Sequence, residues 1–137
     1  MDTHTEKSYQ EWITKIPFQW FATYRIPFDN TNLTNNLMKE YIRHLGKEEK
    51  LQISSFYILN TQPQPHIHSL LYSKPNNNNT ALSNCDIHKW ERKWKYSAVI
   101  QNVYDLENLI GYMILNMPQD KSSLFIYGAK HLKSYLN

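Results

Sequence analysis

The hydrophobic and polar positions along this 137-residue chain predict strands alternating with helices. Stretches rich in aromatic and β-branched residues, bounded by turn-forming residues, favour strands. These predicted strands cover 19–26, 53–60, 65–73, 96–103 and 124–127. Apolar residues at three- and four-residue spacings favour helices over 33–46, 86–95 and 105–117. The order of these strands and helices along the chain predicts an α+β fold, with an antiparallel sheet and helices packed mainly on one face.

The length of the chain suits one domain spanning 1–137. The segments between the predicted strands and helices are more polar than those elements. We expect residues 1–16 to form a polar N-terminal arm. Residues 75–84 contain a run of four asparagines and are predicted to form a flexible loop. Gly46 is predicted to end the first helix, with 47–50 as a solvated connector.

Composition narrows the classes of protein that fit. Lys and Arg outnumber Asp and Glu by 15 to 12, and this mild excess permits an anionic partner without demanding one. A single cysteine excludes an intrachain disulfide and a cysteine-based zinc site. The polar start is unlike a signal peptide, and no apolar run approaches the roughly 20 residues that cross a bilayer. We therefore expect an intracellular, cytoplasmic protein that does not contact a membrane.

The predicted strand over 65–73, PHIHSLLYS, carries the first candidate chemistry. Side chains alternate along a strand, so His66 and His68 share one face, with about 6–7 Å between their Cα atoms. Two neutral imidazoles at that spacing can bind one divalent metal ion. The same spacing also fits polar residues on a solvated strand face, so this pattern alone leaves both interpretations open.

A second candidate lies on the predicted helix over 105–117. Four polar residues at three- and four-residue steps form a stripe beside its apolar side: Asp105, Asn108, Tyr112 and Asn116. Tyr112 also fits a boundary position between core and solvent. If the helix lies across the sheet, however, Tyr112 could face a metal held by the two histidines. A tyrosine beside a Lewis-acidic metal can attack a phosphodiester and form a covalent phosphotyrosine link.

Three segments together resemble the motifs of the HUH endonucleases, the two-histidine, single-tyrosine nickases of rolling-circle replication. Residues 20–24, WFATY, resemble the first-strand motif, and 65–71, PHIHSLL, resemble the metal motif. Residues 109–116, LIGYMILN, are similar to the tyrosine helix. Their order and spacing fit the family and span most of residues 19–117. With the order of elements, this leads us to expect a ferredoxin-like (RRM-like) antiparallel sheet.

The resemblance implies a single-stranded DNA endonuclease that nicks and rejoins its substrate. It implies Mn²⁺ or Mg²⁺ as cofactor, His66 and His68 as metal ligands, and Tyr112 as the nucleophile. The product would be a 5′-phosphotyrosine link and a free 3′-OH. The expected role is to initiate rolling-circle replication of a plasmid or virus at an origin, with a host helicase and polymerase as partners, as a monomer or homodimer. A transposase or relaxase of a mobile element would use the same chemistry.

The chain departs from the family pattern at two places. The family often has a lysine three residues after the tyrosine, and this chain has Leu115 there. The family also tends to take an acidic third metal ligand from the strand before the histidines, but no Asp or Glu lies between Lys50 and His66. We therefore predict Asn60 as the third ligand. Gln62 and Gln64 are the next candidates.

Contacts with DNA are predicted around the helix over 86–95. Its basic residues could neutralise phosphates while Trp90 or Trp94 stack on bases. The predicted DNA-binding residues are Lys89, Arg92, Lys93 and Asn116. The same pattern fits tryptophans in the core with lysines on a solvated face.

Two other functions remain open from the sequence. A non-catalytic module that binds single-stranded nucleic acid would be insensitive to chelators. A metal-dependent hydrolase with water as nucleophile would be almost unaffected by Tyr112→Phe.

Overall fold

The computed structural model describes residues 11–27, 30–60, 64–74, 82–88, 91, 97–115, 124–128 and 132. Five strands and three helices lie within these residues, and residues 11–13 are also helical. In chain order the elements are β1 (Trp20–Arg25), α1 (Thr31–Glu49), β2 (Gln52–Asn60), β3 (His66–Lys74), α2 (Asn84–Ile87), β4 (Ala98–Asn102), α3 (Leu106–Leu115) and β5 (Leu124–Tyr127).

The five strands form one sheet in the order β4-β1-β3-β2-β5, and every neighbouring pair is antiparallel. The first four strands have the 4-1-3-2 order of a ferredoxin-like sheet, with β3 inserted between β1 and β2. β5 extends the sheet along the other side of β2. The predicted α+β class with an antiparallel, ferredoxin-like sheet is therefore confirmed.

The two faces of the sheet carry different helices. α1 packs on one face, where its Met38, Tyr41 and Ile42 belong to the same buried cluster as Tyr24 and Ile67 of the sheet. α3 packs on the opposite face, in a second cluster that joins its apolar residues to those of β1, β2 and β3. That cluster includes Ile110, Met113, Phe21, Phe56 and Leu70. The sheet is thus the middle of three layers, with the long helix on one side and the shorter α3 on the other, so the prediction of helices mainly on one face does not hold for α3.

α1 is longer than predicted, because Gly46 does not end it. The helix begins after Asn30, whose side-chain oxygen accepts from the backbone N–H of Leu33 at 3.0 Å. It ends at Lys50, which takes the left-handed conformation with φ 55° and donates its N–H to the Gly46 carbonyl. A Cβ at Gly46 would lie 3.0 Å from the Leu51 carbonyl oxygen. The glycine therefore allows the chain to pass close to the helix, and the predicted connector over 47–50 is helical up to Glu49.

Two segments were predicted to be irregular, the N-terminal arm over 1–16 and the loop over 75–84, and the structure describes part of each. The predicted polar arm does not extend to residue 16, because Ile13 and Ile16 are buried in the second cluster, on the face of the sheet that carries α3. Residues 75–81 of the predicted loop lie outside the described residues. The next residue, Leu82, is buried, and its carbonyl accepts from the indole Nε1 of Trp20 at 2.8 Å. Burial and hydrogen bonding thus fix the chain at Leu82.

In the part of the chain that the structure describes, we find no helix with the length and apolar character needed to span a membrane.

Candidate active site

The candidate site lies on the sheet face that carries α3, where β3 places both histidines. In an antiparallel pair, directly opposite residues share a face. Thr23 lies opposite His68 and Arg25 lies opposite His66 on β1, while Asn60 lies opposite His66 on β2. We call the surface formed by these five residues the histidine face. The predicted placement of both imidazoles on one face follows from this register, and their ring centroids are 4.7 Å apart.

A cleft of about 540 Å³ opens at this face. Its walls come from the ends of β1 and β3, the segment before β3, and one residue of α3. The lining residues are Thr23, Arg25, Gln64, Pro65, His66, His68 and Tyr112. Both predicted metal ligands and the predicted nucleophile therefore border one cleft, although 44 positions separate His68 from Tyr112 along the chain.

The orientation of the His66 imidazole is fixed by the backbone beside it. Its Nδ1 lies 2.7 Å from the Gln64 carbonyl oxygen. A carbonyl can only accept a hydrogen bond, so Nδ1 carries the proton and donates it. In the neutral ring Nε2 then holds the lone pair that a metal requires. A metal-binding histidine typically donates its other ring N–H to a carbonyl or carboxylate in this way.

The His68 imidazole contacts the side chains of Phe21, Thr23 and His66. Its ring stacks on Phe21 with the centroids 5.5 Å apart and the planes at 16°, and its Nδ1 lies 3.1 Å from the Thr23 hydroxyl. The side chain is only 8% exposed. Burial, together with the neighbouring His66 imidazole, lowers the pKa of His68 from 6.5 to about 4. His68 is therefore neutral at physiological pH, which is the form that binds metal.

Tyr112 reaches the cleft because α3 is fixed at its start and along its buried side. Asp105 caps the helix, since its Oδ1 accepts from the Asn108 N–H at 3.2 Å and its Oδ2 from the Asn108 amide at 2.7 Å. Ile110 and Met113 are fully buried against the sheet. Tyr112, between them in sequence, is 53% exposed, and its ring centroid lies 6.2 Å from that of His68 in an edge-on arrangement.

The third metal ligand stays a prediction. Asn60 is beside His66 by register and is 7% exposed, but the cleft is lined by Gln64 rather than Asn60. The Gln64 side-chain oxygen accepts from Arg25 Nη1 at 3.0 Å. Among the described residues, no group of three His, Cys, Asp or Glu side chains could hold a metal ion. The donor set that fits a divalent ion here is therefore two imidazoles with one amide oxygen, and water completes such sites.

Several predicted residues lie outside the described part of the chain. These are the predicted DNA-binding residues Lys89, Arg92, Lys93 and Asn116, and the alternative ligand Gln62. In contrast, Thr23 and Arg25 border the cleft and were missed by the sequence analysis. The signal for them was present: residues at two-residue spacing on the first strand share a face, and a 4-1-3-2 strand order places that strand beside the histidines.

Comparison of the chain with known proteins found no matching family model and no match among curated proteins.

Proposed function

We propose that this chain is a metal-dependent endonuclease that nicks and rejoins single-stranded DNA, with Tyr112 as the nucleophile. The observation that carries the proposal is the meeting of His66, His68 and Tyr112 at one cleft. The two histidines come from one strand and the tyrosine from a helix that crosses the same face. A purely structural role for the two histidines would not require an accessible tyrosine beside them.

The position of the His66 ring proton and the neutral state of His68 also support a metal site. The Gln64 carbonyl holds the proton of His66 on Nδ1, and burial keeps His68 neutral. His66 and His68 would hold Mn²⁺ or Mg²⁺, with Asn60 or Gln64 as an oxygen ligand. A divalent ion supplies Lewis acidity, which polarises a phosphoryl oxygen and lowers the cost of the developing negative charge.

The side chain of Tyr112 would carry out the covalent step. Its oxygen forms a bond to phosphorus, the bond from phosphorus to the 3′-oxygen breaks, and the hydroxyl proton passes to water. The departing 3′-oxygen takes a proton from water and becomes the free 3′-OH. The 5′-phosphate of the downstream strand stays bonded to Tyr112, and attack by a 3′-OH reverses the step. The link conserves the bond energy for rejoining, which suits a protein that initiates replication at a plasmid or viral origin. Unwinding by a host helicase and synthesis by a host polymerase would complete that role, and a transposase or relaxase could use the same step.

One observation favours a second candidate, a module that binds single-stranded nucleic acid without cutting it. No acidic side chain joins the two histidines among the described residues, and carboxylates are the ligands that Mg²⁺ and Mn²⁺ prefer. In that case DNA binding would not depend on metal, and Tyr112 would stack on bases instead of attacking phosphorus.

The deciding experiment is a search for a covalent protein–DNA adduct. The wild-type protein is incubated with labelled single-stranded DNA of random and hairpin-containing sequence in Mn²⁺, and the products are separated under denaturing conditions. We expect a slowly migrating labelled adduct that EDTA prevents and that Tyr112→Phe reduces by at least 1,000-fold, since the nucleophile itself is removed.

Tyr104→Phe is the matched control, because Tyr104 is 88% exposed and does not line the cleft. It should form adduct at the wild-type rate. Adduct formation that survives Tyr112→Phe would assign the reaction to another residue. A wild-type protein that binds DNA equally in Mn²⁺ and in EDTA, without forming adduct, would favour the binding module.

A further inference from the structure

Arg25 is a charged residue of the cleft to which neither the sequence motifs nor the proposed chemistry assigns a role. It is the last residue of β1 and lies directly opposite His66, so its side chain leaves the sheet on the histidine face. It lines the cleft together with His68 and Tyr112. Arginine is the side chain that carries a permanent positive charge.

The hydrogen bonding of Arg25 leaves the guanidinium able to bind a ligand. Its Nη1 donates to the Gln64 side-chain oxygen at 3.0 Å, which uses one of five N–H donors. Two histidine–glutamate contacts in the described part of the chain, His44 with Glu48 and His88 with Glu91, do not involve Arg25. The bond to Gln64 holds the side chain at the cleft while most of its planar fork can still donate.

The charge of the cleft selects for an anion. None of the described lining residues is Asp or Glu, and Arg25 is the lining residue with a permanent charge. A guanidinium pairs with phosphate through two parallel hydrogen bonds, which gives both affinity and orientation. The chain has Leu115, and not a lysine, three residues after Tyr112. The described cation that shares the cleft with Tyr112 therefore comes from the sheet and not from the helix.

We propose that Arg25 binds a phosphate of the single-stranded DNA at the cleft and holds that strand in register with Tyr112. This inference rests on the proposed function, because it names single-stranded DNA as the ligand. Arg25 contacts the phosphodiester backbone and not a base, so it sets the position of the strand without reading its sequence.

The test measures binding in EDTA, where no covalent step occurs. A fluorescent single-stranded oligonucleotide is titrated with wild type, Arg25→Gln, Arg25→Lys and Arg43→Gln at several salt concentrations. Arg43 is exposed on α1, on the opposite face of the sheet, so its substitution removes the same charge away from the cleft. We expect Arg25→Gln to weaken binding about 10-fold and to reduce the slope of log K against log salt by about 0.7, the value for one phosphate contact. Arg43→Gln should change neither quantity, and Arg25→Lys should fall between, since lysine keeps the charge but not the fork.

A second measurement separates a phosphate contact from a loss of local structure. Each phosphate of the oligonucleotide is replaced in turn by an uncharged methylphosphonate. One replacement should weaken wild-type binding severalfold and have no further effect on Arg25→Gln, because the contact is already lost. Equal responses of the two proteins at every position would overturn the proposal, as would a wild-type protein that does not bind the oligonucleotide.

These outcomes are distinct from the failure of the proposed function. Loss of binding in Arg25→Gln, from a wild-type protein that forms no adduct, would establish the phosphate contact and reject the nickase. Adduct formation by the wild type, with Arg25→Gln and Arg43→Gln binding alike, would support the nickase and reject the role of Arg25.

Discussion

At the scale of single residues, the orientation of each imidazole depends on a neighbour that binds its Nδ1. For His66 this neighbour is a backbone carbonyl, which no substitution removes. For His68 it is the hydroxyl of Thr23, a side chain on the adjacent strand. If His68 binds metal through Nε2, its Nδ1–H must donate to this hydroxyl. The hydrogen bond between His68 and the Thr23 hydroxyl can therefore be tested by mutation.

Thr23→Val should weaken Mn²⁺ binding 10- to 100-fold, because it removes the acceptor that orients His68 and nearly preserves the shape of the side chain. Thr23→Ser retains the hydroxyl and should bind Mn²⁺ close to the wild-type affinity. Isothermal titration with Mn²⁺ measures both. Equal affinities for Thr23→Val and Thr23→Ser would show that the hydroxyl does not orient a metal ligand.

Among the residues that line the cleft, the sequence singled out those that belong to local patterns. His66 and His68 follow from strand alternation, and Tyr112 from its position in the polar stripe of a helix. Thr23 and Arg25 were missed because strand alternation alone does not show which strands pair, and their relation to the histidines also requires the strand order of the ferredoxin-like sheet. The role of the Gln64 carbonyl was missed for another reason: it depends on the path of the backbone just before β3.

At the scale of elements, α3 determines where Tyr112 points. The side chain lies at the cleft because the helix begins at a defined residue and because Ile110 and Met113 fix its rotation against the sheet. A change at the start of α3 should therefore affect Tyr112, the proposed nucleophile, without affecting His66 and His68, the proposed metal ligands on β3.

Asp105→Ala should lower the free energy of unfolding by about 1 kcal/mol, the usual cost of a lost N-terminal cap. It should also slow adduct formation severalfold, while the Mn²⁺ affinity stays at the wild-type value. Asp105→Asn keeps an oxygen that accepts from the Asn108 N–H and should restore most of both quantities. The measurements are urea unfolding, adduct kinetics and Mn²⁺ titration. A fall in Mn²⁺ affinity equal to the fall in rate would contradict this separation.

The described strands lie within about two residues of their predicted bounds at each end, because alternation and flanking turn residues are local signals. The end of α1 was predicted less well. Glycine is a common helix terminator, but Gly46 instead accommodates the close approach of the Leu51 carbonyl, a contact that forms where the chain leaves the helix towards β2. The sequence likewise could not show that α3 and α1 lie on opposite faces, since both have an apolar side of suitable width.

At the scale of the whole molecule, the burial of His68 links the site to stability. The unfolded chain binds a proton at this histidine with a pKa near 6.5, whereas in the folded protein the pKa of His68 is about 4. Between these values the unfolded state binds more protons, so the free energy of unfolding falls as the pH falls from 6.5 towards 4. Above pH 6.5 both states are neutral at His68, and this contribution does not vary.

Lowering the pH from 7 to 5 in EDTA should therefore destabilise the wild type by about 1–2 kcal/mol more than it destabilises His68→Gln. His44→Gln is the control, because His44 is a partly exposed residue of α1 that forms a surface pair with Glu48. It should respond to pH within about 0.5 kcal/mol of the wild type. Urea unfolding at both pH values gives these differences. Equal losses in wild type and His68→Gln would show that His68 is protonated in the folded state.

The half-exposed position of Tyr112 has a consequence for how this domain can change by descent. The side chain contributes little to the buried cluster, which depends on Ile110 and Met113 beside it. Under the proposed mechanism, a single codon change at position 112 would end catalysis and leave the sheet, the histidine pair and Arg25 in place. An enzyme lineage could thus give rise to a DNA-binding lineage without passing through an unfolded intermediate. The fold sets almost no barrier to that transition.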